Sequence, residues 1–94
     1  MENQIKQILI DRGYNERHAT LVAQELTLLA TPLQPLITKW LDDEQCMEDF
    51  ETEGYSISGL MQKRGMTYPA ALLTIDWILK EPEKAKHSLS RGIK

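Results

Sequence analysis

Ninety-four residues, 41% of them apolar, bound the chain to one small domain with a core, well clear of disordered composition. A net charge of −3 gives no general attraction to phosphate, and the single cysteine, Cys46, excludes an intrachain disulfide and suits a reducing compartment. No basic start leads into an apolar run, and no apolar stretch has the length of a membrane span, so a soluble cytoplasmic protein is expected.

Apolar spacing predicts an all-α fold: a compact bundle of five or six short helices around a central helix at about 67–80. The first helix, 3–12, carries Ile5, Ile8 and Leu9 on one stripe, and Gly13 stops it with a left-handed turn. Tyr14 can then fold back on Leu9. Asn15 is a good N-cap for the second helix, whose stripe runs through Ala19, Val22, Ala23, Leu26, Leu29 and Ala30. Arg17, Thr20, Gln24 and Glu25 are expected to face water.

Thr31-Pro32-Leu33-Gln34 reads as a capping box with proline at N1, starting a third helix through Leu33, Leu36, Ile37, Trp40 and Leu41. Pro35 removes a further hydrogen bond, so an irregular start is expected. Residues 42–55 lose the periodicity. Asp42, Asp43, Glu44, Glu48, Asp49, Glu51 and Glu53 crowd there, and the stretch reads as a helix end and a solvated linker closing at Gly54.

Ser56 or Ser58 starts a fourth helix with Ile57, Leu60 and Met61, stopped by Gly65. Thr67 caps the central helix, and Pro69 falls in its first turn. Ala71, Leu72, Ile75, Ile78 and Leu79 line one side; Ala70, Leu73 and Trp77 line the other. Only Thr74 and Asp76 interrupt this surface before Lys80, so the helix is expected to be buried by neighbours on several sides. Pro82 marks a break, and a last helix at about 82–90 carries Ala85 and Leu89. Gly92 should end it and leave Ile93-Lys94 frayed. The tail is net basic through Lys80, Lys84, Lys86, Arg91 and Lys94, which suits a place beside the acidic stretch.

Two Arg-Gly turns suggest an internal echo. Aligning Arg12-Gly13 with Arg64-Gly65 also aligns Ile5 with Ile57, Ile8 with Leu60, Leu9 with Met61 and Ala19 with Ala71. Any two helical hairpins with glycine ends share such features, so duplication stays one of two explanations. The organisation read from this is a single domain over 1–94, with two possible helical subunits, 3–42 and 56–90, joined by the acidic stretch.

The run from Ile8-Leu9 through Arg12-Gly13-Tyr14, then Ala19 to Leu26, then Ile37 to Trp40-Leu41, resembles the ubiquitin-associated (UBA-like) three-helix module. The likeness covers residues 3–42, under half the chain. It departs at the turn, where Arg12 replaces the methionine with which that family often contacts its partner. What the resemblance implies is a protein-binding module; ubiquitin as the ligand does not follow.

No chemistry-bearing motif is present. His18 and His87 stand far apart, without further ligands at the spacing that zinc requires. Cys46 has no base partner, and its neighbours Glu44 and Glu48 oppose a thiolate. Counted from Asp42, the acidic run puts Met47 where a calcium loop needs glycine. No glycine-rich phosphate loop occurs.

The expectation is therefore a non-enzymatic protein–protein interaction module or small regulatory adaptor, without cofactor or metal, and with a homodimer among its options. The candidate contact residues are Asp49, Phe50, Glu51 and Tyr55, acids with aromatic anchors between them. The alternative is a DNA-binding protein with a helix-turn-helix-like hairpin at about 5–28, reading bases with Asn15, Arg17, His18, Thr20 and Gln24. The acidic total and the lack of a contiguous basic patch weigh against nucleic acid.

Overall fold

The structure, a computed structural model, describes residues 2–92. The chain is all-α, with six helices among the described residues and one two-stranded ribbon. It divides into two compact units, one ending at Met47 and the other beginning at Glu48. Ile93-Lys94, where fraying was expected, lies outside the described residues, as does the Lys94 end of the basic tail.

The first unit holds α1 (Glu2–Asp11), α2 (Glu16–Leu26), a 3-10 turn (Thr31–Leu33) and α3 (Gln34–Asp42). Helix α1 ends in a Schellman turn. Gly13 takes φ 104°, its N–H donates to the Ile10 carbonyl, and the Tyr14 N–H donates to the Leu9 carbonyl. Asn15 then caps α2, its side-chain oxygen accepting from the His18 N–H at 2.7 Å. The buried side chains are Ile5, Leu9, Ala19, Ala23, Leu26, Leu29, Leu33, Leu36, Ile37 and Trp40.

Helix α2 stops at Leu26, four residues short of the end of its apolar stripe. The Thr27 hydroxyl donates to the Gln24 carbonyl, and by Ala30 the backbone is extended, ahead of Pro32. The Thr31–Gln34 capping box does not form. Gln34 instead turns its amide to the Leu29 carbonyl at 2.7 Å. Two prolines explain the irregular start. The chain makes a 3-10 turn around Pro32 and begins α3 at Gln34, which places Pro35 in the first turn, where a missing N–H costs nothing.

The second unit holds strands β1 (Glu51–Thr52) and β2 (Tyr55–Ser56), then α4 (Ile57–Arg64), α5 (Tyr68–Lys80) and α6 (Pro82–Gly92). Residues 51–56, of which 51–55 were expected as part of a linker, are a hairpin. Thr52 pairs with Tyr55 and Glu51 with Ser56 across the two residues Glu53 and Gly54. Both have positive φ, 53° and 84°, the backbone of a type I′ turn, whose twist matches that of the flanking strands. Ser56 also caps α4, its hydroxyl accepting from the Gly59 N–H.

Helix α5 is the one on which the rest of the second unit packs: α4, α6 and β1 all lie against it. Tyr68, Pro69, Ala71, Leu72, Ile75 and Ile78 are buried along it. Asp76, expected to break the apolar surface, is itself buried and pairs with Lys80 at 3.0 Å. One turn apart on the helix, Lys80 brings its charge to the buried carboxylate, which is how a buried acid is tolerated.

The echo in the sequence extends through each unit. At the one offset set by Arg12 and Arg64, buried positions coincide at Ile5 and Ile57, Ala19 and Ala71, Ala23 and Ile75, Leu26 and Ile78, Leu33 and Ala85, and Ile37 and Leu89. Asn15 and Thr67 coincide as N-caps, and Gly13 and Gly65 as left-handed turns. In both units the arginine before the turn reaches the end of that unit's third helix. Arg12 donates to the carbonyls of Trp40 and Leu41, and Arg64 donates to the carbonyl of Leu89. These carbonyls belong to the last helical turn, which has no intrahelical donors left, so a cation there meets both their hydrogen-bonding need and the negative end of the helix dipole.

Candidate interaction surface

The four residues expected to meet a partner are adjacent, but their side chains differ in what they are free to do. Asp49 is taken up by its own unit. One carboxylate oxygen accepts from the Ser58 and Phe50 N–H groups at 3.0 and 2.8 Å, and the other from the Ser58 hydroxyl at 2.7 Å. Asp49 thus serves the N-terminal turn of α4 from nine residues away. Partial burial pushes its carboxyl up, but the bonds from Ser58, Phe50 and Ile57 outweigh this and hold it below the ordinary aspartate range.

Phe50 is half-buried, and its carbonyl accepts from the Ile57 N–H at 3.1 Å. Tyr55 is also half-buried, while Glu51 is exposed. The neighbouring residues tie the stretch down further. The Glu48 carbonyl accepts from the Tyr68 hydroxyl at 2.8 Å, and Glu53 pairs with Lys86 at 3.0 Å. That pairing places one residue of the basic tail beside the acidic stretch and raises the Lys86 pKa, through the hydrogen bond and then the charge of Glu53. Residues 48–56 form a structural brace of the second unit more than a loose contact loop.

The five residues of the nucleic-acid alternative all come from Asn15 and α2. Asn15 spends its side-chain oxygen on the cap. Thr20 donates its hydroxyl to the Glu16 carbonyl, and His18 lies against Tyr14 with ring centroids 5.4 Å apart. Arg17 and Gln24 are exposed on the outward side.

Sequence reasoning missed the apolar residues on that same side. Leu21 is 58% exposed and Leu28, in the turn after the helix, is 66% exposed. The signal was present: Leu21 falls between Ala19 and Ala23 and off their stripe, so a helix that buries the alanines must turn Leu21 outward. Glu16, Arg17, Thr20 and Leu21 line a shallow depression there. By contrast, the second apolar side of α5 is partly covered: Leu73, Trp77 and Leu79 are half-buried.

Among the described residues no group of three His, Cys, Asp or Glu side chains is placed to hold a metal ion, and no helix is long and apolar enough to cross a membrane. Cys46 is half-buried. No protein-family model, no curated protein and no solved structure matches the chain.

Proposed function

We propose that the chain is a non-enzymatic protein–protein interaction module of the cytoplasm, and that its contact surface is the outward side of α2 around Leu21. The supporting observation is the exposure of Leu21 and Leu28 on a helix side that also carries Arg17, Gln24 and Glu25. Large apolar side chains in water, rimmed by polar groups of both signs, are the usual makings of a protein contact. The likeness of residues 3–42 to ubiquitin-associated modules belongs to the same proposal with one change. Arg12, at the position that family often presents to its partner, is turned onto Trp40 and Leu41, which leaves α2 as the open side.

A second reading keeps α2 but gives it nucleic acid, on the strength of exposed Arg17 and Gln24. A tagged pull-down from host lysate, run with and without nuclease, separates the two. A stoichiometric protein retained after nuclease and lost in Leu21→Asp is the expected result. Partners that vanish with nuclease would replace the first reading with the second.

A further inference from the structure

We propose that two copies of this chain pair through α2, antiparallel about a two-fold axis at Leu21. The inference deepens the interaction-module reading and rests on it. Leu21 stands at the middle of Glu16–Leu26, so two such helices crossing there set Leu21 against Leu21. An antiparallel two-fold brings each residue before Leu21 to the level of the residue equally far beyond it in the other copy. Arg17 and Glu25 lie one turn on either side of Leu21, both exposed. Each copy's Arg17 therefore comes level with Glu25 of the other, and symmetry makes this contact twice.

A parallel pair would instead set Arg17 on Arg17 and Glu25 on Glu25. The charge pattern thus selects the antiparallel arrangement and favours a second copy over a partner of one charge sign.

The two charges are available for this role. Neither Arg17 nor Glu25 has an opposite charge one turn away on its own helix, and among the described residues neither takes part in an ion pair. Glu16, the other acid on this part of the helix, is already paired with Lys6 at 3.3 Å. A contact made by one short helix from each copy is smaller than a standard interface, so the dimer should be weak and concentration-dependent.

Sedimentation equilibrium on the full chain tests this, and should show a monomer–dimer equilibrium within about 10 μM to 1 mM. Leu21→Asp should leave only monomer. Arg17→Glu and Glu25→Arg should each weaken pairing roughly tenfold, since each reversal acts at both ends of the two-fold, and the double variant R17E/E25R should restore it. Circular dichroism checks that every variant keeps its helices. A wild-type chain that stays monomeric at the highest concentration overturns the pairing, and so does a dimer indifferent to both reversals. If the monomeric chain still captures a host protein through Leu21, only the self-pairing falls. If it captures none, the interaction-module reading falls as well.

Discussion

The Arg12 guanidinium lies over the Trp40 ring at 4.5 Å and donates to the carbonyl oxygen of the same residue at 3.0 Å. Its second nitrogen reaches the Leu41 carbonyl at 2.9 Å. One side chain thereby joins the end of α1 to the end of α3 by a planar fork, a ring stack and a charge at the negative end of a helix. Arginine supplies all three together and lysine cannot. Arg12→Ala is expected to lower the stability of the first unit by about 2 kcal/mol, the range for a part-buried charged hydrogen bond with a ring contact. Arg12→Lys should recover less than half of that. Urea midpoints measure both, and equal stability for lysine and arginine would remove the fork and the stack from the account.

Arg64 performs the matching task in the second unit through a single bond to the Leu89 carbonyl at 3.0 Å. No aromatic stack is found beneath it among the described residues. Arg64→Ala should therefore cost about 1 kcal/mol, less than its counterpart. Amide exchange can localise the loss, which should appear in α6 and leave the first unit's protection unchanged. A loss as large as that of Arg12→Ala would mean that the ring contact adds nothing.

Asp49 predicts an acid-dependent weakening of the second unit. Its carboxyl is held below the ordinary range by the bonds from Ser58, Phe50 and Ile57. A folded pKa below the unfolded value, about 3.9, means that the contribution is fully present above that value and is lost as pH falls through the folded pKa. Asp49→Asn should flatten this part of the stability curve below about pH 4. Asp49→Ala should cost about 1 kcal/mol at neutral pH, as the loss of a helix cap does. Chemical denaturation at neutral and acid pH reads both, and an acid limb unchanged in Asp49→Asn would assign it to other carboxylates.

Leu72 and Leu21 are the same residue type in opposite settings, one fully buried on α5 and one 58% exposed on α2. Leu72→Ala should cost about 2–5 kcal/mol, the range for a buried leucine truncation. Leu21→Ala should stay within about 0.5 kcal/mol of the parent, as surface substitutions do. Thermal and urea unfolding measure both, and a large loss at Leu21 would show that it is part of the core.

The chain's secondary structure was largely legible because its signals are local. Gly13 and Gly65 stop helices in place by a left-handed backbone, and Asn15, Ser56 and Thr67 start them by accepting from an N–H three residues on. Two failures were also local in origin. The threonine–glutamine box at Thr31 looked like a cap, but Pro35 made a helix starting at Gln34 cheaper. The hairpin at 51–56 was missed because strands of two residues carry no alternation, and Glu-Gly is a weaker turn signal than Asn-Gly.

The sequence by itself determined most helix starts and stops, the end of α2 and the start of α3 excepted, and the stripe of each helix that turns inward, since backbone capping and helical periodicity act within one or two turns. It could not assign the work of its charged side chains. That Arg12 serves Trp40 and Leu41, Arg64 serves Leu89, Asp49 serves Ser58 and Asp76 is buried beside Lys80 followed only once the helices had packed. A long polar side chain reaches whatever unsatisfied carbonyl or N–H the tertiary fold brings within about 3 Å, however distant that partner is along the chain.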